Sequence, residues 1–85
     1  MEIKPFKIKV GSPQEVGCVV EALSVHDAID WADLMKSYAF ILTSPYLFYD
    51  NRSVYVTFMQ KYFEGWDAPE ITFKQFEEMY VKPLF

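Results

Sequence analysis

One cysteine, one histidine, one arginine and three glycines are all that this 85-residue chain holds of those four types, and each scarcity excludes a class of protein. Cys18 has no partner for an internal disulfide, and with only His26 beside it the soft ligands of a zinc site are missing. No glycine-rich run precedes a Lys-Ser or Lys-Thr pair, so a phosphate cradle is absent. No apolar run approaches the roughly 18 residues of a membrane-crossing helix. The opening Met1-Glu2-Ile3-Lys4-Pro5 carries no signal-peptide core, so a soluble, cytoplasmic protein with no membrane partner is expected. Arg52 stands alone among the arginines, and 12 acidic against 8 basic residues give a net charge of -4, a balance that disfavours binding to phosphate backbones. DNA mimicry needs far denser carboxylates than these.

What the chain does have is apolar material. Hydrophobic residues make up 52% and aromatics 19%, enough to offset the ordering entropy that keeps polar chains unfolded. At this length folding should remove roughly 60–65% of the exposed surface, which supports one modest core and hence a single domain over residues 1–85.

The most informative stretch is Tyr46–Met59, in which two β-rich runs flank Asp50-Asn51-Arg52-Ser53. A turn centred on Asn51-Arg52 sets Tyr49 opposite Val54, Phe48 opposite Tyr55, Leu47 opposite Val56 and Tyr46 opposite Thr57. The pleat then places Leu47, Tyr49, Val54, Val56 and Phe58 on a core-facing side. Tyr46, Phe48, Tyr55, Thr57 and Met59 fall on a second, aromatic side.

Before the hairpin, Phe6, Ile8 and Val10 alternate with Lys7 and Lys9, the pattern of a half-buried strand whose lysines guard the wet face. Ser12-Pro13-Gln14-Glu15 signals a helix start, with Ser12 as N-cap and Glu15 closing a capping box. Val16, Val19, Val20 and Leu23 then form one apolar stripe, interrupted by Gly17, which either admits a neighbouring backbone or is merely tolerated. His26 falls near the helix end, a position where histidine usually caps. Residues 27–35 fit either a helix or a short strand, and Asp27, Asp30 and Asp33 lack the glycine-hinged spacing of a calcium loop. Residues 37–44 are expected to be a strand or an extended lead into the hairpin, because Pro45 disfavours helix before it.

After the hairpin, Gln60–Glu64 should make one helical turn closed by Gly65. Thr72 and Gln75 then open a final helix that buries Phe73, Phe76, Met79 and Tyr80 until Pro83 stops it. The expected fold class is α+β: strand, helix, an optional strand, hairpin and helix, with an antiparallel sheet packed against two helices.

In their order along the chain, these segments are similar to a loose class of small accessory proteins of tailed bacteriophages. The likeness runs from Phe6 to about Val81. It is carried by the lysine-flanked first strand, Ser12-Pro13-Gln14, Trp31, Pro45-Tyr46-Leu47-Phe48, Tyr62-Phe63 and Glu70-Ile71-Thr72-Phe73. Ile29-Asp30 stands where the class usually has a Gly-Tyr-like pair. The resemblance implies a virus-encoded protein acting in the cytoplasm of an infected bacterium by binding a host enzyme or defence factor. It transfers no catalytic residue.

The residues themselves nominate no catalyst: there is no Gly-x-Ser-x-Gly, and no nucleophile with a base and an orienter. No cofactor or metal ligand is nominated, and the chain is read as a non-enzyme. Tyr46, Phe48, Tyr55 and Met59 are the expected partner-binding residues, since tyrosine gives wide contact at low entropic cost. A helix laid across that face would instead bury it. Two alternatives stand beside this reading: single-stranded nucleic acid stacked on Phe48 and Tyr55, and self-association through a sheet edge into a homodimer or a virion component.

Overall fold

The structure, a computed structural model, describes residues 2–85. Its elements are β1 (Phe6–Lys9), α1 (Pro13–Val25), α2 (Trp31–Met35), α3 (Tyr38–Leu42), β2 (Tyr46–Asp50), β3 (Ser53–Thr57), α4 (Gln60–Gly65), β4 (Glu70–Ile71) and α5 (Phe73–Phe76). The last continues through a π-helical turn (Glu77–Val81) into a 3₁₀ turn (Lys82–Leu84). The four strands form one sheet in the order β3-β2-β1-β4, so the domain is α+β. The sheet is mixed where an antiparallel one was expected. β4, two residues too short to leave a periodic pattern, pairs parallel to β1, with Lys7 opposite Glu70 and Ile8 opposite Ile71.

The hairpin has the expected register throughout, from Tyr46 opposite Thr57 to Tyr49 opposite Val54. Its two-residue turn puts both Asn51 (φ 45°) and Arg52 (φ 66°) in the left-handed region, the turn whose twist matches the strands. Arginine is costly there, and the side chain supplies the compensation. The Arg52 guanidinium donates to the carbonyls of Asp27 at 2.8 Å and Ile29 at 3.3 Å, fastening the turn to the end of α1. There Asp27 (φ 55°) ends the helix, as the amides of Asp27 and Ala28 bond back to the carbonyls of Ser24 and Leu23. Arg52→Ala and Arg52→Gly both delete the guanidinium, so the difference between them isolates the backbone cost. Chemical denaturation should find the alanine variant less stable than the glycine variant by about 1 kcal/mol.

One face of the sheet carries the core. Phe6 and Ile8 of β1 and Leu47 and Tyr49 of β2 meet the buried α1 stripe, Val16, Val19, Val20 and Leu23, and Phe76 of α5. Tyr49 is also tied by its hydroxyl to the Ala28 carbonyl at 2.7 Å. Ser12 caps α1 as expected, but Glu15 reaches past the N-cap to the Gly11 amide at 3.0 Å. A Cβ on Gly17 would meet only Tyr38 Oη at 3.8 Å and Leu42 at 4.0 Å, ordinary contact distances. Gly17 is therefore tolerated, not required. The box at Thr72 and Gln75 closes in both directions, at 3.1 and 2.8 Å.

Three local expectations are corrected. Residues 38–42 are helical, not extended, since that turn lays Ile41 into the core and Tyr38 and Leu42 against it, while Phe40 faces out. Phe58 lies beyond the end of β3, where the pleat no longer governs it. It is half exposed and meets Phe40 edge-on at 5.4 Å. Met79 is exposed because the π-helical turn rotates it off the Phe76 side. Within residues 27–35 the helical alternative holds for Trp31–Met35 alone, with Asp30 capping α2 by accepting the Asp33 amide.

Candidate functional site

The sheet's second face is built from Lys7 and Lys9 of β1, Tyr46 and Phe48 of β2, and Tyr55 and Thr57 of β3. Thr57 Oγ1 accepts the Met59 amide, and Met59 in turn is the N-cap of α4. This sharp return lays α4 back over the face. Phe63, fully buried, settles on Tyr46 with ring centroids 4.9 Å apart, and Trp66 stacks on Phe48 at 5.2 Å and 23°.

The four expected partner-binding residues therefore divide into two pairs. Tyr46 and Phe48 are half-buried beneath Phe63 and Trp66, whereas Tyr55 and Met59 remain 51% and 47% exposed. Phe48 links the two sets, because Tyr55 packs against its other flank at 5.7 Å. The result is a fixed row of three rings, Trp66, Phe48 and Tyr55. Tyr62, 54% exposed and one helical turn after Met59, was not among the residues singled out in the sequence, nor was Trp66. Their spacing from Met59 at i+3 and i+7 is the signal that could have found them.

Lys7 corrects another expectation. It does not guard a wet face but is buried beneath α4. Its ammonium donates to the carbonyls of Phe63 (2.8 Å), Glu64 (3.2 Å) and Trp66 (3.1 Å) and sits 5.0 Å from the Phe63 ring centroid. The Phe63 and Trp66 carbonyls each accept one backbone amide besides, from Trp66 and Ala68, and the carbonyls at the end of α4 carry partial negative charge that the cation neutralises.

The remaining chemistry-bearing side chains are apart from this face. His26 Nε2 lies 2.7 Å from the Tyr80 carbonyl, which can only accept, so that nitrogen carries the proton. Burial pushes the Tyr80 phenol above its ordinary range, with nearby Tyr49 adding to the shift. Cys18 lines a groove of about 610 Å³ between α1, Tyr38 and the C-terminal residues Leu84 and Phe85. Burial, then the negative charges of Glu77, Glu21 and Glu15, push its thiol upward. Both effects disfavour the thiolate, the reactive form. Near neutral pH, iodoacetamide should therefore alkylate Cys18 roughly threefold or more slowly than free cysteine. The rate should go on rising with pH after free cysteine levels off.

No helix among the described residues is long and apolar enough to cross a membrane. No protein-family model, curated protein or solved structure matches the chain.

Proposed function

We propose that the chain is a phage-encoded accessory domain that binds a protein of the infected host and thereby modulates or inhibits it. The contact surface is the exposed part of the aromatic face, Tyr55, Met59 and Tyr62 around the Phe48–Trp66 stack. The observation that carries this reading is that Tyr55 is half exposed yet held in place. Tyr55 is ordered against Phe48, and Phe48 against Trp66, so little rotamer entropy remains to be lost on binding. Tyr46 and Phe63 act from below, as the support on which α4 rests.

Binding to single strands is disfavoured on the same face. Lys7, the cation nearest its centre, is spent on three carbonyls, and the net charge is -4.

The experiment is affinity capture from bacterial extract with the tagged chain, run beside a Met59→Ala/Tyr62→Ala double variant. Both side chains are half exposed, so the variant should keep its helical signal and melt within a few degrees of the parent. A discrete host protein retained by the parent and reduced about tenfold or more by the variant is the expected result. If no protein's capture depends on these two side chains, the reading fails.

A further inference from the structure

The two edges of the sheet are unlike. β4 is two residues long and follows Pro69, which makes it a poor template for another strand. β3 runs for five residues, Ser53-Val54-Tyr55-Val56-Thr57, and has no charge, no proline and an unbroken register with β2. Soluble proteins rarely leave such an edge unguarded.

The direction of its backbone groups follows from the ladder. The Val10 amide bonds to the Pro45 carbonyl at 3.0 Å, and the Lys7 amide turns the other way, to the Pro69 carbonyl at 2.9 Å. In antiparallel pairing the bonding residues alternate. Phe6, Ile8 and Val10 therefore face β2, Leu47 and Tyr49 face β1, and Tyr46, Phe48 and Asp50 face β3. On β3 itself Ser53, Tyr55 and Thr57 are engaged with β2, and Val54 and Val56 present their N–H and C=O groups outward. Among the described residues no further hydrogen bond reaches either. A groove of about 200 Å³ separates Ser53, Val54 and Tyr55 from Leu34 and Ser37, so this part of the edge is uncovered.

The strand also reads nearly the same in both directions about Tyr55. Laid antiparallel on a second copy, Ser53 meets Thr57, Val54 meets Val56 and Tyr55 meets itself. In that register the outward residues Val54 and Val56 lie opposite each other, and each pair can exchange both of its hydrogen bonds. Sliding one copy by two residues would draw into the ladder either Arg52, held in the turn with φ 66°, or Phe58, already past the strand end. Only the register centred on Tyr55 uses the whole strand. No charge lies on β3 to be set against its like at the axis.

From this self-complementarity we infer that two copies of the chain pair β3 to β3 across a two-fold axis at Tyr55, joining their four-stranded sheets into one. Tyr55 and its counterpart form the close, non-hydrogen-bonded pair, with Cα atoms about 4.5 Å apart, and both rings lie on the aromatic face. The row of Trp66, Phe48 and Tyr55 continues directly into the same row of the second copy. The dimer thus extends the surface proposed above and does not depend on it, because it is held by edge backbone groups.

The test uses the purified chain alone. Sedimentation velocity from low to several hundred micromolar should show the mass doubling with concentration. A two-fold axis makes a second, positional demand. On a Cys18→Ser background, Tyr55→Cys lies opposite its own copy and should oxidise to a covalent dimer about tenfold faster or more than Ser53→Cys. Ser53→Cys should cross-link only when mixed with Thr57→Cys. Circular dichroism checks that each variant is folded. A chain that stays monomeric at every concentration overturns the inference, as does a dimer in which Tyr55→Cys cross-links no faster than Ser53→Cys. In the second case, some other surface mediates the association.

Discussion

Lys7→Met should lower the unfolding free energy by about 2–4 kcal/mol, and with it the melting temperature by about 10–25 °C. Methionine fills much the same space beneath α4 but brings no donor. The buried Phe63 carbonyl would keep only the Trp66 amide, at 3.3 Å, and the Trp66 carbonyl only the Ala68 amide, at 3.1 Å, while that of Glu64 is partly buried and can be reached by water. The loss is therefore larger than one hydrogen bond and smaller than three full desolvation penalties. The attraction between the ammonium and the Phe63 ring, at 5.0 Å, goes as well. Trp66 offers a local readout, because loosening α4 lifts the indole off Phe48 and should shift its emission toward that of a solvated ring. Lys9 also approaches the Phe63 ring, at 5.8 Å, but is exposed, and Lys9→Met should stay within about 0.5 kcal/mol of the parent. Equal midpoints for the Lys7 and Lys9 variants would mean that the buried ammonium does not hold α4 down.

The contrast between those two lysines shows how far the sequence could be read. Alternation along Phe6–Val10 correctly separated the apolar side from the lysine side. It carries no information on whether a later segment will cover the second side, so Lys7 and Lys9 looked equivalent. What distinguishes them is α4, seen beforehand as a single turn at 60–64 with nothing to say where it would lie.

The hairpin was legible to the residue because both its determinants are local: a two-residue turn and a pleat of period two. The stripe of α1 and the box at Thr72 were legible for the same reason. Residues 38–42, Tyr-Ala-Phe-Ile-Leu, fit either period, and five residues are too few to choose. β4 left no signal because its two residues are strand only by virtue of pairing with β1. The candidate surface was half legible. Whether a helix would cover the face was open in the sequence: Tyr55 and Met59 are exposed, whereas Tyr46 and Phe48 became the seat of Phe63 and Trp66, contacts that arise only once α4 is folded back.

The division between core face and aromatic face also bears on cooperativity, which two buried phenylalanines can test. Phe76 and Phe63 are both fully buried, so area alone would assign their alanine variants the same cost, about 3–5 kcal/mol. Their surroundings differ. Phe76 belongs to the main core, with Phe6 at 5.5 Å and Tyr80 at 5.3 Å, and it cannot be lost without loosening α1, β1 and α5 together. Phe76→Ala should therefore incur the whole cost in the global transition, a large share of the roughly 4–13 kcal/mol typical of a domain this size.

Phe63 lies outside that core, held by Tyr46, Trp66 and the two lysines, so its loss can be relieved by releasing α4 alone. The cost of Phe63→Ala is then limited to the free energy that docks α4. Its folded state already exposes some of the surface that denaturant would uncover, so the dependence on urea should become shallower. Amide exchange should quicken at residues 60–66 and stay slow along Val16–Leu23. If Phe63→Ala instead matches Phe76→Ala in cost with an unchanged urea slope, α4 is part of one cooperative unit. The aromatic face would then be as rigid as the core, and a partner would meet it fully formed.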